Sequence, residues 1–105
     1  MAEPRFEPGQ VIHHKLYDYR GVIVSGDPRC LADDAWYDFQ TQGKPNPPTK
    51  EQPWYHVLVH GRTHTTYVAE QNLELDPTGG PVEHPMVKKF FRSFHEGRYY
   101  RESLN

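Results

Sequence analysis

The chain has 105 residues, 35% of them hydrophobic and 13% aromatic, with a formal charge of -2 and one cysteine, Cys30. That length holds one domain with a thin core, in which a few aromatic side chains carry much of the burial. A single cysteine excludes an intrachain disulfide and a cysteine-based zinc site, the near-neutral charge argues against a generic phosphate-backbone binder, and no run approaches the roughly 20 apolar residues of a membrane helix.

Residues 1–9 form a Pro-rich polar lead-in without the apolar h-region of a secretory signal, so the cytoplasm is the expected location. Gln10 to Leu16, QVIHHKL, alternates its faces and predicts a half-buried strand. The residues YDY turn it, and RGVIVSGDP predicts a second strand that stops at Gly26-Asp27-Pro28. CLADDAWYDFQ reads as a short helix or as an irregular loop with Trp36 and Phe39 turned inward. GKPNPPTKEQP, with its four prolines, reads as surface loop.

PWYHVLVH is the clearest strand. Tyr55, Val57 and Val59 make its core face; Trp54, His56, Leu58 and His60 make an opposite, exposed-looking face. Gly61-Arg62 is a two-residue hairpin turn into THTTYVAE, a Thr-, Tyr- and Val-rich strand. QNLEL then leaves the sheet, and DPTGGP is a hinge. His84-Pro85 opens a helix running to Gly97. Met86, Val87, Phe90, Phe91 and Phe94 fall within about 140° of its arc, and Lys88, Lys89 and Arg92 oppose them. The expected fold is mainly β: a small antiparallel SH3-like barrel or a strongly bent sheet, with a C-terminal helix. The domain spans residues 6–100, with flexible ends at 1–5 and 101–105.

The seven histidines invite a metal site. His56 and His60 share a face but lie about 13 Å apart along a strand, and His64 faces away from His60. They read as sheet-surface residues, and no metal or cofactor is expected. His13 and His14 point to opposite faces and read as structural. Asp33 and Asp34 are adjacent and cannot share a face, so with Asp38 they read as solvated loop charges rather than an acid–base pair. No Gly-x-Ser-x-Gly, phosphate-cradling loop or paired nucleophile is present, and the expected class is a binding module, not an enzyme.

Charge is uneven. Residues 1–83 hold 7 Lys+Arg against 12 Asp+Glu, while residues 84–105 hold 5 against 2. The basic tail could meet phosphates, and Tyr99 and Tyr100 could stack on bases.

The stretches FEPGQVIHHKLYDYRGVIVSGDP, QPWYHVLVH, TYVAEQNLE and HPMVKKFF with a Tyr-rich end, from Phe6 to Tyr100, resemble the YccV-like family, the hemimethylated-DNA-binding domain of the bacterial heat-shock protein HspQ. The resemblance implies a small β-barrel-like fold, an intracellular setting, a heat-shock link, homo-oligomers and no catalytic residues. Related domains occur in some eukaryotic F-box proteins, and the FFRSFHEGRYYRE end is closer to such fused versions. Two functions follow. The first is DNA binding, hemimethylated DNA included, with Lys15, Arg20, Arg62, Lys88, Lys89, Arg92, Arg98 and Arg101 as phosphate contacts. The second is a protein-interaction adaptor in quality control, stimulating a Lon-type protease or presenting its substrates. Its contacts would be Trp54 and Leu58, with the Pro-rich loop over 45–53 beside them.

Overall fold

The computed structural model describes residues 3–103. Five strands, β1 (Val11–His14), β2 (Arg20–Asp27), β3 (Trp54–Val59), β4 (Thr65–Ala69) and β5 (Leu73–Leu75), make one antiparallel sheet in the order β4-β3-β2-β1-β5. The β4 and β5 strands are therefore opposite edges, yet only the 3-10 turn Glu70–Asn72 joins them. Across a flat sheet the edges would lie about 19 Å apart, and the link reaches at most about 14 Å. The sheet must bend, and it does so without closing: β4 and β5 do not pair. A bulge at Val24, where the β2–β3 register shifts between Ile23 and Ser25, adds to the bend. Of the two expected architectures, the bent sheet is the one found.

Strand alternation sends two apolar sets to two sides. Phe6, Ile12, Ile23, Tyr55, Val57, Val68 and Leu73 fill the concave side. Val11, Val22, Val24 and Leu58 lie on the other, under Val82, Phe91 and Tyr99. Leu58 is fully buried and Trp54 only 4% exposed, which corrects the exposed face expected for them. The alternation of β3 was legible, but the cover on its second side comes from residues 17 to 41 positions away. Trp54 packs with Cys30 and Ala69 beneath Trp36 and Tyr37 of helix α1 (Asp34–Thr41), which Asp33 caps by accepting from Trp36 N at 2.8 Å. Of the two readings of this segment the helix is the one found, and Phe39, turned inward in the loop reading, is 74% exposed.

Two further expectations change. The QNLEL segment stays in the sheet, because Leu73–Leu75 pairs with β1. The long C-terminal helix shrinks to α2 (Val87–Phe90), followed by a hairpin of β6 (Ser93–His95) and β7 (Arg98–Tyr100). Glu96 and Gly97 both have positive φ, 49° and 78°, as a two-residue turn of the right twist requires. Met86, Val87, Phe90 and Phe91 do pack together on the second side, so the helical arc is real up to Phe91, where the backbone becomes extended.

Tyr99 ties this cover down. Its hydroxyl accepts from Val82 N at 2.8 Å and donates to Val82 O at 3.2 Å, all buried. Tyr99→Phe strands both backbone groups and should cost about 2 kcal/mol, read as a lower urea midpoint at unchanged m-value; an unmoved midpoint would show that the hydroxyl holds nothing. The ends expected to be flexible, 1–5 and 101–105, lie partly outside the described residues. Arg5 N donates to Glu70 Oε2 at 2.8 Å, and the Arg101 guanidinium to Val24 O at 3.3 Å.

Candidate nucleic-acid interface

The eight cations proposed from sequence do not form one rim. Arg20 is engaged internally: its Nε donates to Asp76 Oδ2 at 3.0 Å and its other nitrogens to the carbonyls of Gly80 and Pro81. Burial pushes the Asp76 carboxyl up, but the Thr78 hydroxyl and the Arg20 guanidinium outweigh it and hold the group below the usual carboxylate range. Arg98 donates to Glu7 Oε2 at 2.8 Å and lies over the Tyr100 ring, and its Nε is buried without a partner among the described residues. Lys15 and Arg62 are exposed on separate loops.

The remaining four are gathered. Lys88 and Lys89 stand exposed on α2, and Arg92 follows them. Arg92 N donates to Tyr100 O at 2.8 Å, which brings Arg92 beside the strand that leads into Arg101. The Arg92 guanidinium donates to Lys88 O at 3.0 Å. Among the described residues none of these four pairs with a carboxylate, unlike Arg20, Arg29, Lys50 and Arg98. Among the described residues the two lysine side chains make no hydrogen bond, and Arg92 and Arg101 each give one guanidinium nitrogen to a carbonyl, Lys88 O and Val24 O; Tyr100, next to Arg101, is half-buried.

The histidines are dispersed into separate tasks. His13 lies 2.7 Å from Asp18 and 2.8 Å from Glu74, and hydrogen bonds to these carboxylates raise its pKa. His14 is buried, and its Nδ1 accepts from Leu16 N and Tyr17 N. His56 stacks on Tyr67 at 4.4 Å, and His60 Nδ1 accepts from Glu83 N at 2.9 Å. Among the described residues no three His, Cys, Asp or Glu side chains gather as metal ligands. Asp33 is the helix cap, and Asp34 pairs with Lys50 at 2.7 Å.

Sequence reasoning missed a groove of about 980 Å³ along β4. One bank is the β1–β2 turn, with Leu16 and Tyr17; the other is Leu31, Trp36 and the loop over 44–48. Tyr67 lies between them, its hydroxyl donating to Asp27 Oδ2 at 2.6 Å, and burial pushes its pKa up. The available signal was the density of aromatic residues on segments that sequence alone leaves apart.

The family model described as "Hemimethylated DNA-binding protein YccV like" matches residues 4–98. F-box only protein 21 of Mus musculus is 33% identical over 93 residues, covering 88% of this chain and 14% of that relative. The proteins of the same name from Pongo abelii and Homo sapiens are each 32% identical over 93 residues, with the same coverage. This chain thus corresponds to a small part, 14%, of those relatives' length. A match that begins in the lead-in before β1 and ends inside β7 takes in every strand of the bent sheet, and the chain belongs to the YccV-like family of hemimethylated-DNA-binding proteins.

Proposed function

We propose that this chain is a DNA-binding module that holds duplex phosphates through Lys88, Lys89, Arg92 and Arg101, and acts by binding without a chemical step. The observation that carries the reading is the family match together with four exposed cations between residues 88 and 101 that pair with no carboxylate among the described residues. Methylation of one strand adds an apolar group in the major groove, where an apolar side chain can sense it. The heat-shock setting, the cytoplasm and self-association belong to the same reading.

The test is fluorescence anisotropy with one labelled duplex, unmethylated, hemimethylated or fully methylated, at low and physiological salt. Preference for the hemimethylated duplex of about tenfold, roughly 1.4 kcal/mol, is expected to persist at physiological salt. Lys88→Ala with Lys89→Ala should weaken binding to all three duplexes roughly tenfold. It should also reduce the slope of log K against log salt by about 1.8, two phosphate contacts' worth. Binding blind to methylation, with a slope the double variant leaves unmoved, would remove both the specificity and the site.

A second reading, a protein-contact module that serves a protease or presents its substrates, is favoured by the aromatic groove beside β4. Trp54 acts in it only as the buried floor under Trp36 and Tyr67, its ring centroid 6.1 and 5.4 Å from theirs.

A further inference from the structure

The bend that leaves β4 and β5 unpaired also leaves β4 with an open edge. Its phase is fixed by one bond: Glu70 N donates to Pro53 O at 2.9 Å, so the pair Pro53–Glu70 faces inward. Counting back through the β3–β4 register, Val68 and Thr66 turn their backbone groups toward β3, while Thr65 and Tyr67 turn theirs away. No described residue bonds to the outward N–H or C=O of Thr65 or Tyr67. These groups lie along the groove, which runs past β4 from the β1–β2 turn to helix α1.

Among the described residues, three of the six large exposed hydrophobic side chains rim this one groove: Leu16 at 68%, Tyr17 at 59% and Leu31 at 61% exposed. Its formal charges are one carboxylate, Asp27, occupied by Tyr67, and one ammonium, Lys44, lying over the Tyr17 ring. A groove with no net charge offers phosphates no advantage over water. It suits an uncharged occupant with apolar side chains and its own unpaired backbone.

We infer that the groove takes an extended, uncharged, apolar segment of another polypeptide, added to β4 as a further strand. Backbone bonds to Thr65 and Tyr67 supply the pairing, and the aromatic banks receive alternate side chains. Such segments are what an unfolded chain exposes. The inference rests on the second, protein-contact reading and names its site and its ligand class.

The experiment titrates the full chain against a fluorescein-labelled nine-residue peptide of alternating valine and threonine. Two further peptides carry N-methyl groups on the valines only or on the threonines only. Strand addition uses one set of amides, so one methylated peptide should bind at least tenfold more weakly and the other within about twofold. Equal binding by all three overturns strand addition while leaving a protein-contact role standing. No binding by any peptide up to millimolar concentration overturns both. Thr65→Pro removes an outward N–H at an edge position that tolerates proline, and should cost about fivefold in affinity with an unchanged circular dichroism spectrum. If that variant misfolds, the methylated peptides still decide. Sedimentation of the wild-type chain as a dimer that the plain peptide cannot dissociate would assign the edge to a second copy and overturn the proposal.

Discussion

Gly9→Ala should destabilise the fold by about 3 kcal/mol or more, a large share of what a domain of this size has to lose. Gly9 sits where three segments meet. Its N–H donates to Ile23 O and its C=O accepts from Tyr99 N, both at 2.8 Å, so it couples the centre of β2 to the C-terminal hairpin. Its φ is +98°, in the region L side chains rarely enter, and an added Cβ would lie 2.2 Å from Tyr99 O. Tyr99 O cannot give way: it is a backbone atom, and its residue is pinned through its side-chain hydroxyl to Val82. Gly61→Ala is the control. Its φ is +75° but no atom lies within 4 Å of the new Cβ, so only the left-handed backbone is penalised, about 1 kcal/mol. Urea unfolding of the two variants separates the terms; equal midpoints would mean that the close approach to Tyr99 does not matter.

Local patterning made the sheet legible. The alternation in QVIHHKL, in GVIV and in YHVLV places the strands, and Gly61-Arg62 as the turn centre predicts the observed β3–β4 register, in which Leu58 faces Thr65. What failed were inferences about what covers what. Leu58 looked exposed because nothing near it in sequence marks Val82, Phe91 and Tyr99 as its lid. The stretch after Phe91 looked helical because aromatic residues spaced by three and four satisfy a helical arc, while a β-hairpin needs only Glu96-Gly97 and aromatic flanks. Phe94 then faces Tyr99 across the hairpin, with ring centroids 4.6 Å apart.

The cations show the same division. Lys88, Lys89, Arg92 and Arg101 stay exposed, as composition alone would have it. Arg20 and Arg98 are taken by Asp76 and Glu7, partners 56 and 91 residues away. Charge counting cannot separate a cation awaiting phosphate from one already neutralised by the fold. The groove was invisible for a related reason, since its two banks, the β1–β2 turn and Leu31 with Trp36 and the loop over 44–48, come from separate stretches of the sequence.

Acid should weaken the fold between about pH 6.5 and pH 4, by about 3 kcal/mol at most, with His14 as the cause. His14 is 3% exposed; burial first, then the nearby His13 and Lys44 charges, lower its pKa from 6.5 to about 4. The unfolded chain therefore binds a proton through this window that the folded chain refuses. Stability is fully present above 6.5 and falls as pH drops toward 4. His13 acts in a different window: its raised pKa gives stability that is present below 6.5 and lost as pH rises through the raised value. Asp76 and Asp34 have lowered pKa values and lose their contributions only as pH falls below 3.8. Between 6.5 and 4 the slope thus belongs to His14. His14→Asn keeps an acceptor for Leu16 N and Tyr17 N without the titrating ring, and should flatten urea midpoints measured from pH 7 to 4.5; a slope that survives would place the proton elsewhere. The consequence reaches the groove, because Tyr17 stacks on His14 at 4.6 Å and hydrogen-bonds its Nδ1. Protonating that nitrogen removes the acceptor that holds the Tyr17 bank, so groove and fold should loosen over one pH range.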